Sequence, residues 1–196
     1  MIDKDVFVLD CAAVRAQSPL VHCITNYVAM EFNANALLAA GASPLMSFCP
    51  EEMEEIAAIA SALVVNIGCL DRQEIEAMHL AAGAMHRLGK PWVLDPVGAG
   101  ASRIRTETCL QLIRQHHPTI IRGNASEILV LAGETIVSRG VDSSASSGDA
   151  VEAARALAHE TGAVVSVSGA VDFITDGERL GTVRNGSPLM SRITAM

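Results

Sequence analysis

Aromatic side chains are almost missing from this chain of 196 residues: four Phe, one Tyr and one Trp make up 3% of it. Stacking platforms for single-stranded nucleic acid are therefore poorly supplied. Basic charge is also scarce. The only lysines are Lys4 and Lys90, and the formal net charge is -8. That balance argues against a nucleic-acid or anionic-membrane partner, since both need basic surface. With no lysine after its glycine-rich stretch "GAGAS", the chain also lacks a Walker-type phosphate loop.

No Cys-x-x-Cys occurs, and the five cysteines (Cys11, Cys23, Cys49, Cys69 and Cys109) are odd in number. This pattern reads as reduced thiols in a cytoplasmic protein, most of them small core residues. The six histidines include no His-x-x-x-His, which argues against zinc. His79 and His86, seven apart on one predicted helix, read as surface or packing residues. No apolar run approaches the roughly 18 residues of a membrane span. The opening "MIDKDVFVLD" has no basic flank leading into a long apolar stretch, so no signal peptide is expected. Internal repeats and low-complexity linkers are missing as well, and residues 1–196 read as a single domain.

What is abundant is small aliphatic material. Half of the residues are hydrophobic and 18% are charged. A core of Ala, Val, Ile, Leu and Met suits helices packed on a parallel sheet. Helical and extended stretches alternate along the chain. Residues 9–17 read as helix and "PLVHCIT" (19–25) as a strand. "YVAMEFNANALLAAG" (27–41) is a helix stopped by Gly41, and "SPLMSFC" (43–49) is extended. A helix opened by Pro50 and acids covers 50–60, and "ALVVNIG" (62–68) is a buried strand. The helix over 71–89 starts with Asp71 and Glu74 as a capping pair. Then come a strand (91–96), a helix (107–117), a strand (119–122) and a helix (125–132). Residues 143–149 are loop-like, 150–162 helical and 163–169 extended. Residues 172–183 form a hairpin turning at Asp176-Gly177. Strands separated by helices of this length require crossover connections, so the sheet is mainly parallel with both faces covered.

In such sheets ligands bind beyond the carboxyl ends of the strands. Four predicted strand ends carry polar residues: Asn26; Asp95, followed by "PVGAGAS"; Arg122, followed by Gly123, Asn124 and Glu127; and Ser168 with Gly169. A guanidinium such as Arg122 pairs with phosphate. Asp95 and Glu127 are hard oxygen ligands suited to Mg²⁺. Gly98 and Gly100 permit close backbone approach. Together they outline a phosphoryl-transfer site. Each also has a plainer reading. Asn124 and Glu127 fit a capping pair, Asp95 before Pro96 fits a turn, and Arg122 fits a surface ion pair. The sequence leaves both sets of readings open.

Five stretches carry a resemblance: "SPLVHCITNYV", "NALLAAGASPLM", "LDPVGAGASRIRTE", "IRGNASEI" and "VSVSGAVDFITDG". In this order, across about residues 18–190, the chain resembles the hydroxyethylthiazole kinases of the ribokinase-like superfamily. The resemblance implies a three-layer α/β sandwich with a mainly parallel central sheet flanked by helices. It implies that ATP and Mg²⁺ phosphorylate the hydroxyl of 4-methyl-5-(2-hydroxyethyl)thiazole in thiamine biosynthesis and salvage. Met46 would contact the thiazole and Asn26 would lie beside it. Arg122, Gly123, Asn124 and Ser168 would line the ATP site, and Asp95 and Glu127 would hold the metal. The resemblance also implies a cytoplasmic homotrimer with sites at the subunit interfaces, so that Met46 of one subunit serves a site completed by the next.

Two departures accompany it. Ala170 stands where many members carry an acid. The sequence ends at "SRITAM", with Ala195 where a glycine is usual, before the family's Gly-x-Gly-Cys turn. The cysteine in the position of the catalytic base would lie beyond Met196, so the sequence reads as a C-terminally incomplete kinase with its last helices missing and phosphoryl transfer impaired. Three alternatives stand beside this reading: a hydroxymethylpyrimidine kinase, a ribokinase-like dehydratase of hydrated nicotinamide cofactors, and an inactive, truncated ligand-binding domain.

Overall fold

The computed structural model describes residues 4–133 and 147–192. The loop-like stretch at 143–146 and the departure at Ala195 lie outside the described residues.

Helix α1 (Lys4–Gln17) precedes β1 (Leu20–Ile24), α2 (Met30–Ala40) and β2 (Ser43–Met46). A 3-10 turn over Pro50–Glu52 leads into α3 (Met53–Ile59), followed by β3 (Ala62–Asn66), α4 (Arg72–Arg87) and β4 (Trp92–Asp95). Then come α5 (Arg103–His116), β5 (Ile120–Asn124) and α6 (Ala125–Leu131). After a second 3-10 turn, over Ser147–Ala150, come α7 (Val151–Thr161), β6 (Val164–Ser168), β7 (Asp172–Thr175) and β8 (Leu180–Val183). The strands form one sheet in the order β2-β1-β3-β4-β5-β6-β7-β8. The first six are mutually parallel, and β7 and β8 close the edge as an antiparallel hairpin. The chain runs one way from β1 to β2 and the other way from β3 onward, which sets a topological switch point between β1 and β3.

The strand pattern explains the layers. Alternate residues point to opposite faces. Leu63, Val65, Leu94, Ile121, Val165 and Val167 are buried beneath the helices from α3 to α7 in one continuous core. On the other face Val21, Cys23 and Ala42 pack with Val14 of α1, Leu37 of α2, Met46 and Val64. On that second face Val21 and Cys23 of β1 are buried, while Met46, Val64, Val93, Ile120 and Val164 are half-buried. The expectation of helices on both faces therefore holds at the β2 side and only partly along β4–β6 among the described residues.

Local chemistry sets the boundaries. Glu74 N–H donates to Asp71 Oδ1 at 2.7 Å and Asp71 N–H to Glu74 Oε2 at 3.2 Å, the capping box expected for α4. Its buried face, with Ala77, Met78, Ala81 and Met85, follows the helical period. Gly41 ends α2 at φ +100°, where its N–H bonds the carbonyls of Leu37 and Leu38. Several boundaries differ from the sequence reading: α1 starts at Lys4 rather than near residue 9, α2 starts at Met30 rather than 27, β2 ends at Met46 rather than 49, and two more changes fall beside the strand ends. Helix α5 begins at Arg103 because the glycine-rich loop before it is short. Strand β5 runs on to Asn124, because Gly123 and Asn124 still pair with Val167 and Ser168. No helix among the described residues is long and apolar enough to cross a membrane.

Candidate active site

The carboxyl ends of β1, β3, β4, β5 and β6 surround a cleft of about 550 Å³. Asn26, Asp95, Arg122, Gly123, Asn124, Glu127 and Ser168 all line it, although they span more than half of the chain. Parallel strands deliver their carboxyl ends to one rim, which is why residues so distant in sequence meet. Met46 is not among the lining residues. It ends the edge strand β2 opposite Cys23, at the same rim but packed into the outer apolar cluster.

Glu127 is buried. Its Oε2 accepts the Asn124 N–H at 2.8 Å, and Asn124 Oδ1 accepts the Glu127 N–H at 3.0 Å. This is the capping box of α6. The other oxygen, Oε1, accepts the Gly98 N–H at 2.9 Å. One carboxylate thus starts a helix and anchors the loop after β4. Gly123 is held to the same carboxylate's surroundings: a Cβ there would lie 3.1 Å from Glu127 Oε2 and 3.1 Å from Pro96 Cγ.

Asp95 ends β4 beside it. Burial, then the neighbouring charge of Glu127, push its carboxyl up to about 6, with Arg122 and the hydrogen bond from Asn66 opposing the rise. The Glu127 carboxyl is raised too, chiefly by burial, against the two backbone N–H bonds. Arg122 is the cation among the lining residues and is exposed at the cleft. Ser168 Oγ donates to the Gly123 carbonyl at 3.3 Å, tying the end of β6 to β5.

Sequence reasoning missed several lining residues, Asn66 and Gly68 among them, and it missed Arg105, which braces the rim from outside the cleft. Asn66 closes β3 and donates from Nδ2 to Asp95 Oδ2 at 2.6 Å. Gly68 follows it and lines the cleft. Arg105, on α5, donates to the carbonyls of Ile67 (2.8 Å), Val97 (2.9 Å) and Gly68 (3.0 Å), fastening two strand-end loops together. Asn66 carried a signal. It is a polar residue ending a buried strand, as Asn26 and Asp95 are. Arg105 carried none, since its role depends on where three distant carbonyls converge.

The model of the hydroxyethylthiazole kinase family matches residues 11–196. The chain belongs to this family. It is 57% identical over 185 residues to the hydroxyethylthiazole kinase of Nitratidesulfovibrio vulgaris (strain DP4), covering 94% of this chain and 69% of that relative. The solved hydroxyethylthiazole kinase of Pyrococcus horikoshii OT3 superposes with a TM-score of 0.85 at 41% identity, covering 96% of this chain and 70% of that one. A phosphomethylpyrimidine kinase from Clostridium difficile 630 superposes with a TM-score of 0.64 at 15% identity, over 90% of this chain and 88% of that one, and shares the fold alone. The architecture is ribokinase-like. In this hydroxyethylthiazole kinase family member the cleft lies at the carboxyl rim, next to the switch point between β1 and β3.

Proposed function

We propose that the protein transfers the terminal phosphoryl group of ATP to the hydroxyl of 4-methyl-5-(2-hydroxyethyl)thiazole, a step of thiamine biosynthesis and salvage. The observation that carries this reading is the convergence of one guanidinium and two carboxylates on a single cleft in a chain of this kinase family. Phosphoryl transfer needs little covalent chemistry from the protein. It needs aligned reactants and neutralised phosphate charge.

Arg122 takes phosphate oxygens of ATP through its forked donors. Gly123, Asn124 and Ser168 line the nucleotide side. Asn26, at the far end of the cleft, sits beside the thiazole. Asp95 and Glu127 are the residues that would hold Mg²⁺. They fit it chemically: both are hard oxygen donors, and Mg²⁺ keeps waters and takes one or two carboxylates with substrate phosphates. They also fit it electrostatically, because burial and mutual repulsion raise the Asp95 carboxyl, a strain that a divalent cation relieves. When bound, the ion offsets charge on the transferring phosphate.

Met46 and the assembly are linked. The N-terminal part of α1 exposes Val6, Phe7, Val8 and Leu9, and α2 exposes Phe32 and Leu38 and buries none of its residues. Helix α2 packs on the edge strand that carries Met46, and α1 packs on α2. An apolar face of this kind supports a homotrimer in which Met46 serves a neighbour's thiazole site. The five free cysteines support a reducing, cytoplasmic setting.

The test is ADP release by the purified chain with Mg²⁺ and ATP, offered hydroxyethylthiazole, hydroxymethylpyrimidine or no alcohol. Release with the thiazole alone is expected. Release with the pyrimidine instead, or equal release in all arms, overturns the assignment.

A further inference from the structure

We infer that Asn66 is a positioning residue that links the Asn26 side of the cleft to the Asp95 carboxylate through a directional chain of amide hydrogen bonds. The inference rests on the kinase reading for its consequence, though not for its geometry.

The chain has fixed ends. At one end the Ala29 N–H, which can only donate, is shared between Asn26 Oδ1 at 2.9 Å and the Asn26 carbonyl at 3.1 Å. At the other end the ionised Asp95 carboxylate can only accept. Between them Asn26 Nδ2 donates to Asn66 Oδ1 at 2.9 Å and Asn66 Nδ2 donates to Asp95 Oδ2 at 2.6 Å. A flipped amide at either asparagine would face donor with donor or acceptor with acceptor. The two ends therefore dictate the orientation of both amides, independently of how the side chains are assigned.

The geometry protects this arrangement. Asn66 is 7% exposed, and it stands opposite Asp95 in the β3–β4 register. Its Oδ1 also accepts the Gly68 N–H at 2.9 Å. A Cβ on Gly68 would lie 2.7 Å from Asn26 Nδ2 and 2.9 Å from Asn66 Oδ1, so glycine is what lets the two amides meet. Arg105 holds the Ile67 and Gly68 carbonyls from the outside. Hydrogen-bonded dipoles in series polarise one another, and this part-buried series carries a change at one end toward the other.

The consequence concerns both substrates. A ligand engaging Asn26 draws on the same amide that steadies Asn66, and hence on the carboxylate proposed to hold the metal. Linkage then requires that the alcohol and Mg-nucleotide alter each other's affinity by the same factor. Asn66 lines the cleft, and the role inferred for it is the position it gives to Asp95 and Asn26.

The test is a double-mutant cycle read by calorimetric binding of Mg–ADP with no alcohol present. Asn66→Ala is expected to weaken binding by about 10- to 100-fold, the usual effect of losing the partner of a metal-binding carboxylate. Asn26→Ala is expected to weaken it in the wild-type background and to have no further effect once Asn66 is Ala. Equal effects of Asn26→Ala in both backgrounds, or none in either, overturn the inference, because a merely structural asparagine gives additive losses. A ligand-free readout keeps the two ideas separate. In nuclear magnetic resonance spectra, Asp95→Ala should shift the side-chain amide signals of Asn26 as well as those of Asn66. An unmoved Asn26 signal refutes the chain of bonds whatever the protein binds. Failure of the wild type to bind Mg–ADP would count against the kinase reading and leave this second test standing.

Discussion

Replacing Asp95 by Asn should make the ligand-free protein more stable at pH 8 while removing its Mg²⁺-dependent turnover. The carboxyl is raised from its ordinary 3.8 to about 6, first by burial and then by the charge of Glu127. The folded state therefore holds a proton that the unfolded chain has released across that interval. Stability contributed by the protonated carboxyl is full below pH 4 and is lost as pH rises through about 6. The gap corresponds to about 3 kcal/mol at pH 8, since each tenfold step in proton affinity is worth 1.36 kcal/mol. Asparagine keeps the shape, keeps an acceptor for Asn66 Nδ2, and turns an amide donor toward the cleft without the charge. For a domain of this size about 3 kcal/mol appears as a melting shift of about 6–12 °C. Thermal melts by circular dichroism at pH 8 and pH 4, in metal-free buffer with chelator, would read it. The variant should melt higher at pH 8, and the difference should shrink at pH 4. A variant that melts lower at pH 8, or that shows the same difference at both values, refutes the electrostatic account of this site.

Three further perturbations separate roles that share residues. Glu127→Gln retains one acceptor but turns an amide donor toward either the Asn124 or the Gly98 N–H, leaving one donor unpaired at a cost of about 1–3 kcal/mol that offsets the gain from removing a carboxylate raised by burial; melting as high as Asp95→Asn at pH 8 would show that the double anchoring is not real. Arg122→Ala should raise the Michaelis constant for ATP while leaving that for the thiazole nearly unchanged, and steady-state kinetics with an unaltered ATP dependence would remove Arg122 from the nucleotide site. His116 donates to or accepts from His79 at 3.1 Å and is held down at about 4, by burial first and by His79 next. The unfolded chain thus takes up the proton first, so stability is lost as pH falls from about 6.5 toward 4. His116→Gln should flatten that part of the melting profile, and an unchanged profile would mean that the loss arises elsewhere, for example at buried His22, whose titration is also lowered.

The order of helices and strands was legible because apolar stretches and stop signals are local. Gly41, the Asp71–Glu74 pair and the Asp176-Gly177 turn all sit where local chemistry puts them. The rim was legible too, because polar residues ending apolar strands are conspicuous. What the sequence could not supply is lateral order. Asn66 becomes part of the site only because β3 lies between β1 and β4, so that its amide reaches Asn26 on one side and Asp95 on the other. Arg105 matters only because the loops after β3 and β4 end beside one another. Met46 shows the converse. Its stretch pointed to the thiazole, yet within one subunit it packs on the outer side of β1.

Glu127 shows why the plain and functional readings of this rim cannot be separated. A capping glutamate would ordinarily be half-exposed, with one oxygen bonded to the cap and the other in water. Here the second oxygen holds Gly98, in a loop that turns at φ +75° and again at Gly100 with φ +91°. The carboxylate is thereby aimed into the cleft and kept beside Asp95 with no freedom to swing away. Without the capping bond it would lose its direction, and without the Gly98 bond the loop after β4 would lose its fixed distance from Arg122 and Asn124. The helix start is the device that orients the acid. On the proposed metal-binding role, stability and chemistry draw on the same two oxygens, and a substitution at Glu127 disturbs both. At pH 8 Asp95→Asn should consequently melt higher than Glu127→Gln, since both remove a carboxylate that burial raises but only the second leaves a bonded N–H unpaired, and both should reduce turnover; equal melting of the two variants would refute the double anchoring.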